Sequence, residues 1–283
     1  MSSLKSRAIV QISIIAVIIV ALGSLTYLFL WGKLFPYSPL KIGFSKHELT
    51  NIILYVQDGV QYEDYSVIDA YPPVVERWHD LRFREKPVIF IFRDKDSYLR
   101  RSITKARFCA YPNGSLVISP WALQEAKEGK ISLEIYLRHE FSHTLLYQHM
   151  GVLAAYVHYP NWLLEGIAMA SADQMGTSWY PSKKETYRYI KKGNFMTPSD
   201  YKTTKEDKIV LNVKYRIAFI YSEFGCIADD LIMTYGKEKF MKYVRQLFSD
   251  SNHDKVFKAI YGIDFTIFLL DFKRRVDESA QKT

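Results

Sequence analysis

From Ala8 to Trp31 the chain carries no charged residue: "AIVQISIIAVIIVALGSLTYLFLW". Few environments accept such a run. A helix needs about 20 apolar residues to cross the hydrocarbon core of a bilayer, and a helix satisfies its own backbone hydrogen bonds there. Gln11, Ser13, Ser24 and Thr26 are tolerable in such a span, and Tyr27, Trp31, Phe35 and Tyr37 suit the membrane–water interface. Lys5 and Arg7 precede the run while Lys33 and Lys41 follow it, so the charge bias is nearly even. The short basic tail with its free amine sets the expectation: N-terminus inside, bulk of the chain outside. Ala21-Leu22-Gly23 resembles a signal-peptide cleavage site, but cleavage there would leave "SLTYLFLW" as an exposed apolar stub. The expectation is an uncleaved signal-anchor. Residues 1–35 are then a cytoplasmic tail and transmembrane helix of a single-pass membrane protein. Residues 36–283 form an extracytoplasmic domain, with a bacterial cytoplasmic membrane as the default setting.

The remainder is rich enough in apolar residues to fold around a sizeable core. The chain has 283 residues, 48% hydrophobic and 24% charged, which does not describe a disordered chain. Its net charge of +8 is spread among Asp and Glu, without a long basic block. No zinc-finger, homeodomain or RNA-recognition signature is present, so no nucleic-acid partner is expected. The sequence says nothing of oligomeric state. Cys109 and Cys226 lack Cys-x-x-Cys partners, which excludes a Cys-rich zinc site. Whether they pair is open, with two separate buried thiols the simpler reading.

After a short linker, "FPYSPLKIGF", residues 45–80 mix short apolar runs with polar breaks. "VVERWHDLRF" has helical spacing. "PVIFIFRD" reads as a buried strand, "DSYLRRSI" as a short helix, and "RFCAYPNGSLVISP" as a hairpin around Pro-Asn-Gly. A helix begins near Pro120–Trp121. Another runs from about Ser132 to Met150 and stops at Gly151. A third, "NWLLEGIAMASADQ", has Asn161 as its expected N-cap. A short helix is expected around Glu185–Lys192. The C-terminal part is helical in "KYRIAFIYSEFGCIADDLIMTYG", "KEKFMKYVRQLFSD" and "FTIFLLDFKRRVDES". Strands come first (36–130) and helices later (131–283), the order of an α+β fold and not of a βαβ repeat.

The chemistry lies in "HEFSH". His139 and His143 stand four apart, so on a helix both imidazoles face one way and can reach one metal ion. Glu140 lies about 100° round from His139, placed to take a proton from water activated at the metal. One zinc ion suits these ligand types. Two histidines at this spacing also occur by chance, so the third ligand decides. His149 would complete the metzincin pattern, but that pattern has glycine where Leu146 stands. On an unbroken helix His149 lies about 240° from His143 and faces away. Glu165, 22 residues past His143 in "PNWLLEGIA", is the better candidate. A carboxylate among Trp162, Leu163, Leu164 and Ile167 is costly to bury unless something compensates it. Gly166 beside it suggests a close approach to the backbone.

"HEFSH" followed by "PNWLLEGIAMA" resembles the gluzincin metallopeptidases of the peptidase MA-like group. The likeness extends over about residues 45–270, and only the two segments just quoted are specific. It implies a zincin-like fold: a small mixed sheet with an active-site helix, then a mainly helical part. It implies zinc on His139, His143 and Glu165, with Glu140 as general base and a peptide or protein as substrate. Tyr221 becomes the candidate oxyanion donor, with Tyr215 close by. "GSLVIS" matches an edge strand beside the cleft, so a peptide is expected to lie along Leu116–Ser119. The Lys-rich segment Ser182–Lys208 is expected to cover the cleft. Thermolysin-like enzymes carry Asp where Met169 stands, and Asp173 is too far along to replace it, so what orients His139 is open. His47, His79, His158 and His253 read as ordinary, His158 being a distant alternative ligand. Glu134 and Asp173 read as solvated. A catalytically degenerate metallopeptidase-like domain acting as a membrane-tethered binding or sensory module, or a non-peptidase metallohydrolase, remains the alternative.

Overall fold

The structure, a computed structural model, describes residues 2–151 and 159–279. A first helix, α1 (Ser2–Leu30), contains the expected apolar run, and none of its span Gln11–Leu30 is buried. Five short strands then build one sheet: β1 (Phe44–Glu48), β2 (Ile53–Gln57), β3 (Val88–Ile91), β4 (Phe108–Ala110) and β5 (Ser115–Ile118). Their order is β1-β2-β3-β5-β4, antiparallel at both outer pairs and parallel at β2–β3 and β3–β5. A parallel pair needs a crossover. Here α2 (Pro72–His79) lies between β2 and β3, and α3 (Lys95–Arg101) between β3 and the β4–β5 hairpin. Strands are therefore interleaved early in the chain with the short helices expected from "VVERWHDLRF" and "DSYLRRSI", and the fold is mixed α/β with a small sheet and many helices.

The sheet topology corrects one expectation. Ser115–Ile118 is not an edge strand. It pairs on both sides, and all four of its residues are buried, as a continuously apolar interior strand requires. The edge on this side of the sheet belongs to β4. The hairpin joining them turns at Asn113-Gly114, with Gly114 at φ 82°. β1, "FSKHE", went unnoticed in the sequence because it is an outer strand with mostly exposed residues.

The helical part comprises α4 (Pro120–Lys127), α5 (Leu133–Met150), α6 (Asn161–Ala172), α7 (Lys183–Lys191), α8 (Arg216–Tyr235), α9 (Lys237–Gln246), α10 (His253–Tyr261) and α11 (Phe265–Glu278). Ser132 caps α5 by accepting from the Ile135 N–H, and Gly151 ends it at φ 79°. Asn161 is the first helical residue of α6 and not its cap. Pro160 holds the cap position without a side-chain bond.

Helix α5 is the wall shared by two cores. Tyr136, Leu137, Phe141 and Leu145 pack under the sheet, while Leu146 and Met150 join the helical core of α6 and α8 to α11. A third cluster covers the other sheet face and contains Phe35, which is fully buried against Phe44 and Phe90. The stretch expected as a linker is thus packed structure, and the apolar helix runs directly into the domain's interior.

Candidate metal centre

The period of α5 places His139 and His143 on one face, with their Nε2 atoms 3.1 Å apart. Glu165 Oε2, from α6, lies 3.3 Å from His139 Nε2 and 3.6 Å from His143 Nε2. Around a tetrahedral ion with ligand bonds near 2.1 Å, ligand atoms stand about 3.4 Å apart. The three separations bracket that value. Glu165 Oε2 is buried and makes no hydrogen bond, a costly state unless a cation compensates it. Burial alone would raise the Glu165 carboxyl, but His143 and His139 outweigh it and hold it well below the usual carboxylate range. Burial likewise works to lower His143, and the Glu165 carboxylate outweighs that and raises it. The pocket favours negative charge on Glu165 facing positive charge between the imidazoles. His139, His143 and Glu165 can hold a metal ion, and among the described residues they are the one such group whose ligand atoms converge.

What brings Glu165 there is the crossing of α6 and α8. A Cβ on Gly166 would stand 2.6 Å from the Phe224 carbonyl oxygen, and one on Gly225 would stand 3.0 Å from Met169 Cβ. The close approach expected at Gly166 is therefore made by the backbone of α8. Arg138 Nη2 also donates to the Ser171 carbonyl at 2.7 Å, tying α5 to α6.

Glu140 sits beside the group, where Oε2 accepts the Ala110 N–H at 2.7 Å. That N–H points away from β5, at the free edge of β4. Tyr221, on α8, stacks on the His139 ring (centroids 6.4 Å, 13° apart in plane). Burial, with Glu165 adding to it, raises its phenol well above the ordinary range, so it stays a neutral donor. Tyr215 is 45% exposed and lines a separate hollow.

His149 lies outside the group. Its Nε2 meets the Arg82 carbonyl at 2.8 Å, and its ring stacks on Phe248. Asp173 closes α6 in the left-handed region, and Glu134 is exposed. His47 stacks on Tyr62, His79 is buried against Ser142, and His253 packs among aromatic rings. His158 lies outside the described residues. Among the described residues nothing accepts from His139 Nδ1 or His143 Nδ1. Ring packing orients both instead: His139 on Tyr221, His143 on Tyr147 (6.1 Å, 17°), and each edge-on to the other. Tyr147 escaped the sequence reading, although it continues the spacing His139, His143, Tyr147.

An open cleft of about 480 Å³ lies over this group. One wall is β4 with the loop before it, from Thr104 to Ala110; Tyr136, Trp179 and Tyr180 stand among the others. The Arg107 guanidinium lies 4.5 Å over the Trp179 ring and pairs with Glu125. Cys109 also lines the cleft, its thiol pushed up to about 12 by burial and then by Glu140 and Glu165. Both cysteines are free. The segment expected to cover the cleft does so only at Thr204, while Tyr201 packs edge-on against Tyr221. No protein-family model matches the chain, and no curated protein does.

Proposed function

We propose that this chain is a membrane-anchored, zinc-dependent metallopeptidase of gluzincin type, in the peptidase MA-like group, with a zincin-like domain. The observation that carries this reading is the convergence of three ligand atoms beside a carboxylate held at a free strand edge. His139, His143 and Glu165 would hold a zinc ion, which would supply Lewis acidity toward a carbonyl and toward water. The protein's own groups do the rest. A peptide extends along the free edge of β4, where backbone bonds align it. Glu140 takes a proton from the attacking water as the new C–O bond forms, and passes it to the amine nitrogen as the C–N bond breaks. The Tyr221 hydroxyl donates to the carbonyl oxygen as negative charge grows on it. The apolar helix α1, unburied from Gln11 to Leu30, is the membrane anchor, with the N-terminus cytoplasmic and the domain outside.

Purified full chain in detergent, loaded with zinc and given a peptide library, tests the reading. The expected result is chelator-sensitive cleavage that Glu140→Gln cuts by about a hundredfold or more while zinc stays bound. A zinc-loaded chain that cleaves no peptide, or equal turnover in Glu140→Gln, refutes it.

A further inference from the structure

We infer that the loop from Ser102 to Arg107 lies on the bilayer surface, so that the cleft opens beside the membrane and takes membrane-proximal polypeptide segments. This rests on the reading of α1 as an anchor. The span Gln11–Leu30 has 20 residues, and at 1.5 Å per residue it is about 30 Å long, the thickness of the hydrocarbon core. The uncharged run Ala8–Trp31 exceeds that by about one helical turn, which places Leu30 near the hydrocarbon edge and Trp31, 39% exposed, in the interface.

No flexible linker follows. Lys33 Nζ donates to the carbonyls of Leu99 and, at 2.9 Å, of Ser102. Phe35 is fully buried, with the Arg101 guanidinium 4.8 Å over its ring. Asn113 Nδ2 donates to the Pro36 carbonyl at 3.0 Å. The end of α3 is therefore fastened to the end of α1, and Ser102 lies within one lysine side chain of it. The headgroup zone is roughly 5–8 Å deep on each side, so the next residues fall within it.

Those residues suit that place. Ile103 is 54% exposed, and Arg100 and Lys105 beside it are exposed cations. An apolar side chain flanked by cations fits a headgroup layer, more so one with anionic lipid. The loop is held in shape. Ser102 Oγ bonds the Tyr111 hydroxyl at 2.8 Å, and the Tyr98 hydroxyl donates to the Ala106 carbonyl at 2.7 Å. The same loop then forms the cleft wall with Thr104, Ala106 and Arg107. The membrane-facing residue and the cleft rim are thus adjacent in sequence, and a polypeptide leaving the bilayer meets β4 within a few residues.

The test uses full chain in nanodiscs of phosphatidylethanolamine and phosphatidylglycerol, with a photo-crosslinking residue introduced at Ile103. The comparison position is Met233, an apolar residue 77% exposed on α8. Several times more lipid adduct at position 103 than at 233 is the expected result. Equal adducts at the two positions, with the chain still retained by membranes at alkaline pH, overturn the inference and leave the anchor reading standing. A chain that alkaline washing removes overturns the anchor reading, and this inference with it.

Discussion

Helices α5 and α6 both bring side chains to the candidate metal centre, but they do so by different physics. On α5 the two histidines need only an unbroken helix, which Ser132 starts and Gly151 stops. On α6 the single ligand, Glu165, needs a helix crossing at which Gly166 meets the backbone of α8. One contribution is local and the other depends on the whole helical core. The α5 half of the site should therefore tolerate damage to packing, and the α6 half should not.

The largest expected effect belongs to α5 and leaves the metal alone. Glu140→Gln should cut peptide turnover about 10²–10⁴-fold, the usual range for a general base, while zinc content stays at the wild-type level. A parallel fall in zinc would mean that Glu140 supports the site and not the chemistry.

Acid should loosen the place where α5 meets α2. His79 is fully buried, and burial pushes its pKa down to about 3 against an ordinary 6.5. Its Nε2 lies 2.9 Å from Ser142 Oγ. Folded and neutral, it resists a proton that the unfolded chain accepts. Its contribution is intact above pH 6.5 and is lost as pH falls from 6.5 toward 3, at up to about 1.4 kcal/mol per pH unit. Urea unfolding of the metal-free chain should thus lose about 2 kcal/mol from this group between pH 7 and 5. A His79→Gln variant should show a flatter dependence; an unchanged one would remove His79 from the account.

Two smaller changes set the helices against each other. Gly166→Ala should cost about 1–3 kcal/mol by overpacking and weaken zinc binding, although every ligand remains. Ser132→Ala should cost about 1 kcal/mol through the lost cap and leave zinc affinity unchanged. Thermal unfolding and competitive zinc titration read both. Equal effects on zinc would erase the distinction between the two helices.

The same division explains what the sequence disclosed. Caps and helical period are local, so α5, its ends and the facing of its histidines were legible, as was the β4–β5 hairpin around Gly114. Tertiary placement was less so. Glu165 stood out only as a carboxylate among apolar neighbours, and Gly166 signalled a close approach without saying by what. The roles of β4 and β5 were exchanged because strand order depends on pairing partners far along the chain. Phe35 looked like the end of an anchor, since nothing nearby in sequence reveals the pocket made by Phe44 and Phe90. Trp179 lines the cleft through folding alone, whereas Tyr147 continues the helical spacing of the two histidines and was overlooked.

The most direct test of the whole account is metal content in two variants of the full chain. Glu165→Ala should lose the bound zinc, whereas His149→Ala should keep one equivalent, its ring facing Arg82 and Phe248 instead of the site. Zinc retained in Glu165→Ala and lost in His149→Ala would contradict the account.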